Sequence, residues 1–489
     1  MLPDSFTPIP DLVRAHAQNR AGHPAIIFND RVISWFDFDR MVDRSSAAFA
    51  RDGLGKGDVI AIAAAMSPEY LILWIGALRV GLAVAPMASG MLPSALAAMI
   101  VDSGAAKIFD DAAISAVGDW WAADGAPYPA ITIEPSDPFN LIYSSGTTGT
   151  PKGIVQPHSM RWAHVQRGLA QGYGPQSVTL VSTPLYSNTT LVSVFPTLGL
   201  GGTLVLLPKF DALSFLELSE RHRATHAMLV PLQYARLMAL DSFDQFDLSS
   251  YQGKFCTSAP FSAALKADVL ARWPGGLTEY YGMTEGGGTC ILRAHEHPEK
   301  LATVGQPAAG SDIRLIDDNG IELLPGETGE VVGRSPAMMI AYHNRAEATA
   351  AAEWHDPTGL RFIRTGDIGR FDSEGFLTLV DRKKDMIISG GFNIYPSDLE
   401  AVLATHPDVI EAAVVGVDSA WGESPVAFVV AQPGAHRDLM KDWLNERVGS
   451  LQRIADLVVV DAIPRSEIGK ILKRELKDSY NVSCSAALP

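Results

Sequence analysis

The residues best suited to chemistry are concentrated in segment 143–153, which reads Tyr-Ser-Ser-Gly-Thr-Thr-Gly-Thr-Pro-Lys-Gly. Glycines let a backbone approach a ligand closely, hydroxyl groups add hydrogen-bond donors, and Lys152 adds a positive charge. The segment is not the common P-loop, because Gly153 follows Lys152 where that motif has Ser or Thr. These residue types together suit a polyphosphate. Composition alone would favour an ordinary flexible Ser/Thr/Gly loop, but the full string is more specific than its composition. The candidate phosphate-binding residues are Ser144, Ser145, Gly146, Thr147, Thr148, Gly149 and Lys152.

Further strings of polar residues and glycines follow along the chain. They are Thr-Ser-Ala-Pro at 257–260, Glu-Tyr-Tyr-Gly-Met-Thr-Glu at 279–285, Phe-Ile-Arg-Thr-Gly-Asp-Ile at 362–368, Asp-Arg-Lys-Lys-Asp at 381–385, Ile-Ser-Gly-Gly-Phe-Asn-Ile-Tyr-Pro at 388–396 and Pro-Arg-Ser-Glu-Ile-Gly-Lys-Ile-Leu-Lys-Arg at 464–474. Together with the first loop, they resemble in order the motifs of the adenylate-forming superfamily. That superfamily contains acyl-CoA synthetases, luciferases and the adenylation domains of peptide synthetases. The resemblance covers nearly the whole chain, since the residues before 143 fit the expected N-terminal half.

The resemblance implies a reaction in two steps that uses ATP, Mg²⁺ and coenzyme A. A carboxylate attacks the α-phosphate of ATP to give an acyl-adenylate and pyrophosphate, and a thiol then displaces AMP. The family motifs assign the α-phosphate to Thr284 and Mg²⁺ to Glu285, and Mg²⁺ prefers carboxylate and phosphate oxygens. Lys470 corresponds to the catalytic lysine, whose fixed charge stabilises the phosphoryl oxygens during attack. Lys152 and the rest of its loop would hold the leaving pyrophosphate.

Other motif positions correspond to residues that bind the nucleotide or move between the steps. Asp367 is implied to bind the ribose hydroxyls, and a carboxylate has paired acceptor oxygens for a vicinal diol. Arg382 is implied to reach the ribose and phosphate, and Lys384 to be the hinge of a mobile C-terminal domain. Gly390 and Gly391 would line the coenzyme A tunnel after that domain changes orientation. The remaining residues implied to bind ATP are Ser258, Ala259, Pro260, Tyr281 and Gly282.

The region implied to bind the acyl group departs from the family pattern. Thr257 replaces a glycine and Tyr280 occupies a position that is commonly small, so larger side chains take volume from the pocket unless they point elsewhere. Ser187 stands where relatives carry a histidine near the acyl carboxylate. Either the smaller serine serves there, or Tyr186 or Asn188 has taken over. Charge-free candidates such as Val230, Pro231, Thr257 and Tyr280 suggest an apolar tail. The candidate acyl-pocket residues are Tyr186, Ser187, Asn188, Val230, Thr257 and Tyr280.

Composition and charge limit the partners of this 489-residue chain. It has 39 basic and 55 acidic side chains and a formal net charge of −16, which argues against non-specific binding to nucleic acid or anionic membranes. The three cysteines are too few for a disulfide framework or a metal cluster. The N-terminus lacks a secretory pattern, and prolines and glycines interrupt the uncharged stretch 178–207. We therefore expect a cytoplasmic protein without a membrane span.

The order of predicted elements indicates an α/β fold. Apolar runs typical of strands alternate with helical patterns before and after segment 143–153, as in βαβ units with a mostly parallel sheet. From Gly310 on, short strands broken by turns indicate a small β-rich subdomain. After Asp385 the pattern predicts a small α+β domain. We predict a large N-terminal domain of βα-layered sheets with its β-rich subdomain over 1–383, and a small mobile α+β domain over 384–489.

The expected function is that of an AMP-forming acyl-CoA synthetase for a small-to-medium carboxylic acid, whether aromatic, alicyclic or medium-chain. Because the chain ends soon after Lys470 with no carrier or condensation domain, coenzyme A is the expected thiol. The alternative within the superfamily is a stand-alone adenylation enzyme that loads a carrier protein. The alternative of another class is a non-catalytic nucleotide-binding sensor. The presence of Lys470, Glu285 and Asp367 together argues against the sensor.

Overall fold

The computed structural model describes residues 3, 5–144, 152–389, 392–419, 422–466 and 469–486. The chain forms two compact units. Unit 1 comprises residues 1–313 and 332–364, and unit 2 comprises residues 314–331 and 365–489. This division falls earlier in the chain than the boundary at 383/384, which stays a prediction about the mobile part.

The strands of the described residues are numbered in chain order. They are β1 (Pro24–Phe28), β2 (Arg31–Ser34), β3 (Val59–Ala63), β4 (Ala83–Pro86), β5 (Lys107–Asp110), β6 (Pro138–Ser144), β7 (Lys152–Pro157), β8 (Val178–Val181), β9 (Thr203–Leu206), β10 (His226–Leu229), β11 (Gly253–Cys256), β12 (Gly276–Tyr281), β13 (Cys290–Arg293), β14 (Gln306–Pro307), β15 (Asp312–Ile316), β16 (Thr328–Arg334), β17 (Ala341–Tyr342), β18 (Glu353–His355), β19 (Arg361–Phe371), β20 (Leu377–Arg382), β21 (Ile387–Ser389), β22 (Phe392–Ile394), β23 (Val409–Ser419), β24 (Gly422–Ala431) and β25 (Asp456–Val459).

The helices of the described residues are numbered in the same way. They are α1 (Ile9–Asn19), α2 (Trp35–Arg51), α3 (Pro68–Arg79), α4 (Pro93–Ser103), α5 (Asp111–Ser115), α6 (Val117–Trp120), α7 (His158–Ala170), α8 (Asn188–Gly199), α9 (Ala212–Arg221), α10 (Pro231–Met238), α11 (Ala263–Arg272), α12 (Ala346–Ala351), α13 (Pro396–Leu403), α14 (Arg437–Arg447) and α15 (Lys473–Ala486).

One sheet of unit 1 has the strand order β14-β13-β12-β11-β10-β8-β9-β1-β2. The central strands from β1 to β12 pair in parallel, whereas β2 and β13 pair antiparallel with their neighbours toward the two edges. Parallel strands that are buried on both faces appear in the sequence as short apolar runs, as β8, β9 and β10 do. The predicted mostly parallel sheet is confirmed.

A second sheet of unit 1 has the order β17-β7-β6-β4-β3-β5. Strands β3, β4 and β5 are parallel, whereas β6 and β7 form an antiparallel pair. Helix α3 is buried from Pro68 to Arg79 apart from the partly exposed Glu69, as expected for a helix that is apolar on all sides. Its Trp74 is fully buried and lies 5.6 Å from the Phe195 ring, centre to centre. Residues of both sheets pack into this one core.

Unit 2 contains a sheet with the order β22-β21-β24-β23, in which β25 also pairs with β24. Helices α13 and α14 contribute Leu399, Leu403, Met440 and Leu444 to a core against these strands. In the same unit, residues 367–371 of β19 pair antiparallel with β20. The strands and helices predicted after Asp385 are therefore present.

Predicted and observed elements agree within a few residues where apolar runs are long. Helix α1 was not predicted, and neither was strand β2, which forms a hairpin with β1. That hairpin turns at Asn29, which has a φ of +52°, a conformation that asparagine tolerates better than most residues. None of the described helices is long and apolar enough to cross a membrane. The cytoplasmic location stays a prediction.

Candidate active site

Strands β6 and β7 bring together the two ends of the predicted phosphate-binding loop. They pair with Ser144 opposite Lys152. At this base the Tyr143 hydroxyl donates to Asp102 at 2.9 Å, and Arg345 donates to the other oxygen of that carboxylate at 2.6 Å. The assigned residues Ser145, Gly146, Thr147, Thr148 and Gly149 lie outside the described residues, as does the side chain of Ser144. Their roles stay predictions.

Lys152 lies against the tyrosine that hydrogen-bonds to Glu285. Its Nζ is 5.1 Å from the ring centre of Tyr342, which is a cation–π distance. The Tyr342 hydroxyl donates to Oε1 of Glu285 at 2.7 Å, and both residues are 9% exposed. Burial, followed by the neighbouring Glu285 charge, raises the pKa of Tyr342, so this hydroxyl stays protonated. One tyrosine therefore connects Lys152 to the predicted magnesium ligand.

A neighbouring segment fixes the backbone around Glu285. The carbonyl of Glu285 accepts from the N–H of Met339 at 2.8 Å, and Gly286 forms an antiparallel bridge with Met338. The same segment continues to Tyr342 in β17. Both the backbone and the side chain of Glu285 are thus held by residues 338–342.

Gln156 links Thr284 to Asn188. Its Nε2 donates to the Thr284 carbonyl at 2.6 Å and lies 3.4 Å from Oδ1 of Asn188. Its Oε1 accepts from Asn140 at 2.9 Å and from Arg161, which is fully buried. This network supports the turn that carries the predicted α-phosphate contact. Gln156 and Arg161 were not predicted from the sequence, because neither belongs to a motif and their partners are remote in sequence.

The residues around the start of α8 differ in their surroundings. Asn188 is linked to Thr284 through Gln156, and the choice among Tyr186, Ser187 and Asn188 for the acyl carboxylate stays a prediction. Ser187 precedes the helix as its N-cap and is 8% exposed, and Tyr186 is partly exposed. Val230 is buried directly after β10.

Ser258 adopts a backbone conformation that favours glycine. Its φ is +84°, in the left-handed region that strains residues with a side chain. Its hydroxyl shares a hydrogen bond with that of Thr189 in α8. Thr257 and Ala259 are partly exposed and Pro260 is exposed. The string 257–260 therefore follows β11 and contacts α8, as expected for a pocket wall.

Tyr280 and Tyr281 are consecutive in β12, so their side chains point to opposite faces of the sheet. The Tyr280 ring stacks on Phe255 with centres 5.8 Å apart, and the guanidinium carbon of Arg167 lies 5.3 Å from its centre. Tyr281 is partly exposed and Gly282, which follows the strand, is exposed. Tyr280 is thus packed among side chains, whereas Tyr281 is partly exposed on the other face of the sheet.

In unit 2, Asp367 and Arg382 form an ion pair. They stand opposite each other in the β19–β20 register, and Nε of Arg382 is 3.1 Å from Oδ1 of Asp367. Asp367 is 9% exposed, and the Arg382 side chain is 39% exposed. The structure therefore brings together the two residues assigned to the ribose.

Lys470 lies near this ion pair in the same unit. The pKa of Lys470 is lowered to about 8. Desolvation by the surrounding protein is the largest cause, and the nearby cations Arg382 and Lys384 lower the pKa further. Asp367 opposes this shift. The Lys470 N–H donates to the Ser466 hydroxyl at 3.2 Å, and the Ser466 N–H donates to the Lys470 carbonyl at 2.8 Å. Ser466, which replaces the family's threonine, thus shapes the turn that presents the lysine.

The remaining residues assigned to unit 2 concern the second step. Lys384 is exposed in the turn between β20 and β21, and no hydrogen bond from its backbone N–H was found among the described residues. Gly390 and Gly391 lie outside the described residues. The hinge and the coenzyme A contacts stay predictions.

Comparisons with known proteins agree with these motifs. The chain matches the family described as AMP-binding enzyme over residues 13–343 and the AMP-binding enzyme C-terminal domain over residues 398–470. It is 32% identical to 4-coumarate–CoA ligase 2 of Nicotiana tabacum over 92% of this chain and 90% of that protein. It is 30% identical to a fatty acid–[acyl-carrier-protein] ligase of Streptomyces coeruleorubidus over 95% of each chain. The o-succinylbenzoate CoA synthetase of Bacillus subtilis, solved with its acyl-adenylate intermediate, is 26% identical with a TM-score of 0.85, over 97% of this chain and 99% of that one.

These similarities confirm the expected resemblance and the mixed α/β fold with a large N-terminal and a small C-terminal domain. The curated relatives are named as ligases, which confirms the predicted class of enzyme, an AMP-forming acid–thiol ligase. The chain belongs to the AMP-binding enzyme family. A non-catalytic sensor does not fit this class.

Replacing Tyr342 by phenylalanine tests the link between that residue and Glu285. The change removes the hydroxyl that donates to Oε1 and keeps the ring beside Lys152. Because partners of a metal ligand orient it, we expect the Mg²⁺ concentration for half-maximal pyrophosphate release to rise about tenfold. Tyr251→Phe is the control, since it removes another buried hydroxyl hydrogen bond, to Ser219. An unchanged Mg²⁺ dependence in Tyr342→Phe would contradict the assignment.

Proposed function

We propose that the protein is an AMP-forming acyl-CoA synthetase. It would use ATP to convert a small-to-medium carboxylic acid into an acyl-adenylate and then transfer the acyl group to coenzyme A. The observation that carries the proposal is the position of Lys470 near the Asp367–Arg382 ion pair. The Asp367 carboxylate can accept hydrogen bonds from a ribose diol, and the cations Arg382 and Lys470 suit a phosphate. Together these groups can hold a nucleotide by its ribose and its reacting phosphate.

In the first step an oxygen of the substrate carboxylate forms a bond to the α-phosphorus, and the bond from that phosphorus to pyrophosphate breaks. Lys470 and Thr284 would contact the α-phosphate, and Lys152 would contact the departing pyrophosphate. Fixed groups that face developing negative charge need no reorganisation during the reaction, which lowers its barrier. The network from Arg161 through Gln156 to the Thr284 carbonyl supports such a fixed arrangement.

The residues of unit 1 fit a magnesium ion bound together with ATP. Among the described residues, no group of three or more His, Cys, Asp or Glu could hold a metal on its own. Mg²⁺ commonly binds one or two protein carboxylates and the phosphates of the substrate. Glu285, with one oxygen held by Tyr342, supplies such a carboxylate. When bound, the ion would neutralise charge on the phosphates.

In the second step the thiol sulfur attacks the acyl carbonyl and AMP leaves with the bonding electrons. We propose that residues 384–489 reorient around Lys384 between the steps, so that Gly390 and Gly391 line the access of coenzyme A. The rival reading is transfer to the thiol of a carrier protein. One relative is named as a ligase of that kind.

Product analysis separates these two acceptors. The enzyme is incubated with Mg·ATP and a panel of carboxylic acids, with either coenzyme A or a phosphopantetheinylated carrier protein. We expect acyl-CoA to form together with equal amounts of AMP and pyrophosphate. Acylation of the carrier without any acyl-CoA would contradict the proposal and favour the stand-alone adenylation enzyme.

Replacing Lys384 by proline tests the hinge. Proline fixes φ and removes the backbone N–H, and the Lys384 N–H has no hydrogen bond to lose among those of the described residues. We expect pyrophosphate release to stay within a few-fold of the wild type while thioester formation from preformed acyl-adenylate falls by about 10²-fold. Lys384→Ala is the control, because it removes the side chain and leaves the backbone free to rotate. Equal losses in both variants would assign the effect to the lysine side chain and contradict the hinge.

A further inference from the structure

Arg167 is a partly buried cation in the last turn of α7. Its guanidinium carbon lies 5.3 Å from the ring centre of Tyr280. Among the described residues, no Asp or Glu forms an ion pair with Arg167 and no acceptor hydrogen-bonds to it. Burial lowers the pKa of this guanidinium, and the neighbouring Tyr280 and Tyr173 act in the opposite direction. A position near a helix C-terminus favours a cation, but it supplies no hydrogen-bond acceptor to the guanidinium N–H groups.

A row of aromatic rings extends from Tyr280 across one face of the parallel sheet. Tyr280 in β12 stacks on Phe255 in β11 at 5.8 Å, and Phe255 lies 5.7 Å from Tyr173, centre to centre. Tyr173 stacks on His226 in β10 at 4.2 Å. Gly253 makes room for this row, because a Cβ atom there would lie 2.9 Å from Cζ of Phe255. The rings therefore form a rigid floor on which Arg167 lies at one end.

The two tyrosine hydroxyls of this row have no hydrogen-bond acceptor in the part of the chain that the structure describes. The hydroxyls of Tyr280 and Tyr173 are buried, and neither has a hydrogen-bond partner among the described residues. His226 offers no acceptor to them, since its ring nitrogens already bond to the Thr225 hydroxyl and the Gln171 carbonyl. Burial lowers the pKa of His226 to about 4, so the imidazole is neutral. Among the described residues, a guanidinium at one end of the row and two tyrosine hydroxyls within it are thus without an acceptor.

We infer that the acid activated by this enzyme carries a second carboxylate, or an equivalent anionic group, at the end remote from its reacting carboxylate, and that Arg167 binds it with the hydroxyls of Tyr280 and Tyr173. This inference rests on the proposed function. A carboxylate is an acceptor with two oxygens that match the donors of a guanidinium. Binding it would also supply the missing counter-charge for Arg167. The predicted apolar tail is then limited to the middle of the acid.

Tyr280 connects the proposed anion site at Arg167 to the segment that would hold the reacting carboxylate. Tyr280 is the penultimate residue of β12, and the turn after that strand carries Thr284 and Glu285. An acid whose reacting carboxylate meets ATP at Thr284 can therefore extend its other end along the sheet face toward Arg167. Tyr280 in β12 and Thr284 in the turn after it would then lie at opposite ends of the acid. Their fixed separation would make the enzyme selective for the length of the acid as well as for its charge.

The first test compares acids of equal length with the full-length enzyme. Pyrophosphate release is measured with hexanoate against adipate, octanoate against suberate, and 3-phenylpropanoate against 3-(4-carboxyphenyl)propanoate. We expect kcat/KM for the best second-carboxylate acid to exceed that of its partner by on the order of 10²-fold or more, because a site built for a polar group rejects an analogue that lacks it. A preference for the monocarboxylic member of every pair would overturn the inference.

Substitutions then assign the preference to named residues. In Arg167→Met we expect kcat/KM for the second-carboxylate acid to fall on the order of 10²–10³-fold, while that for its partner is retained or rises. Tyr280→Phe and Tyr173→Phe should each lower the same preference several-fold, and Arg167→Lys should restore part of it. Arg221→Met, at the exposed end of α9, is the matched control. Equal loss with both members of a pair in Arg167→Met would show a structural role only and overturn the inference.

A binding measurement separates this inference from the proposed function. The thermal midpoint of the enzyme is measured with each acid and no ATP. If no acid supports pyrophosphate release, the proposed function fails. A midpoint raised by the second-carboxylate acid in the wild type and not in Arg167→Met would still support the anion site. The absence of that difference would overturn the anion site whatever the turnover.

Discussion

Replacing Lys470 by alanine is expected to lower the rate of adenylate formation by about 10²–10³-fold or more. The ammonium lies near Arg382 and Asp367 in unit 2, where the proposed function requires a cation on the α-phosphate. The reaction of preformed acyl-adenylate with coenzyme A should be nearly unchanged, since the proposed reorientation of residues 384–489 between the steps would move this lysine away from the nucleotide. Separate assays of pyrophosphate release and of acyl-CoA formation from synthetic acyl-adenylate measure the two steps.

The control for this substitution is Lys477→Ala in α15. Lys477 is also a lysine of unit 2, but its Nζ pairs with Glu423 at 3.1 Å and with Asp418 at 3.5 Å. We expect it to leave adenylate formation within a few-fold of the wild type, because exposed ion pairs contribute little. Equal losses in the two steps for Lys470→Ala would refute its assignment to the first step.

The pH dependence provides an independent readout of the same lysine. The pKa of Lys470 is lowered to about 8, so its positive charge is present below that pH and is lost as the pH rises through it. Because kcat/KM reports the ionisation of the free enzyme, kcat/KM for pyrophosphate release should decline above about pH 8. Lys470→Arg should remove this decline, since arginine stays protonated throughout. A decline that persists in Lys470→Arg would assign it to another group.

Buried strands could be predicted from the sequence where they coincide with long apolar runs. Strand β4, which is buried throughout, has the bounds that its sequence indicates, because burial of an uninterrupted apolar run decides its conformation locally. The hairpin of β1 and β2 was missed because a strand that carries Arg31 and an exposed Val32 has no such signal. Its place is decided by pairing with β1.

The motif residues of the site could be located from the sequence, but their supporting contacts could not. Asp367 and Arg382 belong to recognised strings, and their pairing adds only the register of two strands. Gln156 and Arg161 belong to no string, and they act through atoms on segments remote in sequence. Tyr280 shows the consequence. Its sequence position suggested an apolar pocket wall, whereas the fold places the guanidinium of Arg167 against its ring.

The backbone of Gly286 provides the last test, because it holds the predicted magnesium ligand in place. Gly286 has a φ of +78°, and a Cβ atom there would lie 2.0 Å from the Ala337 carbonyl oxygen. Gly286→Ala must therefore displace the bridge to Met338, and with it the backbone of Glu285. Since a displacement of about 1 Å can cost about 10²-fold in rate, we expect kcat/KM for pyrophosphate release to fall by about that factor. The thermal midpoint should also fall.

Gly310→Ala separates displacement of the backbone from the strain of the left-handed conformation alone. Gly310 has a φ of +79°, nearly that of Gly286, but nothing lies within 4 Å of its would-be Cβ atom. We expect this variant to lose some thermal stability through strain and to keep its kcat/KM within a few-fold. Similar activity losses in the two variants would show that the fall reflects general destabilisation. A raised Mg²⁺ requirement in Gly286→Ala alone would instead assign it to the position of Glu285, because only that substitution moves the carboxylate relative to Tyr342.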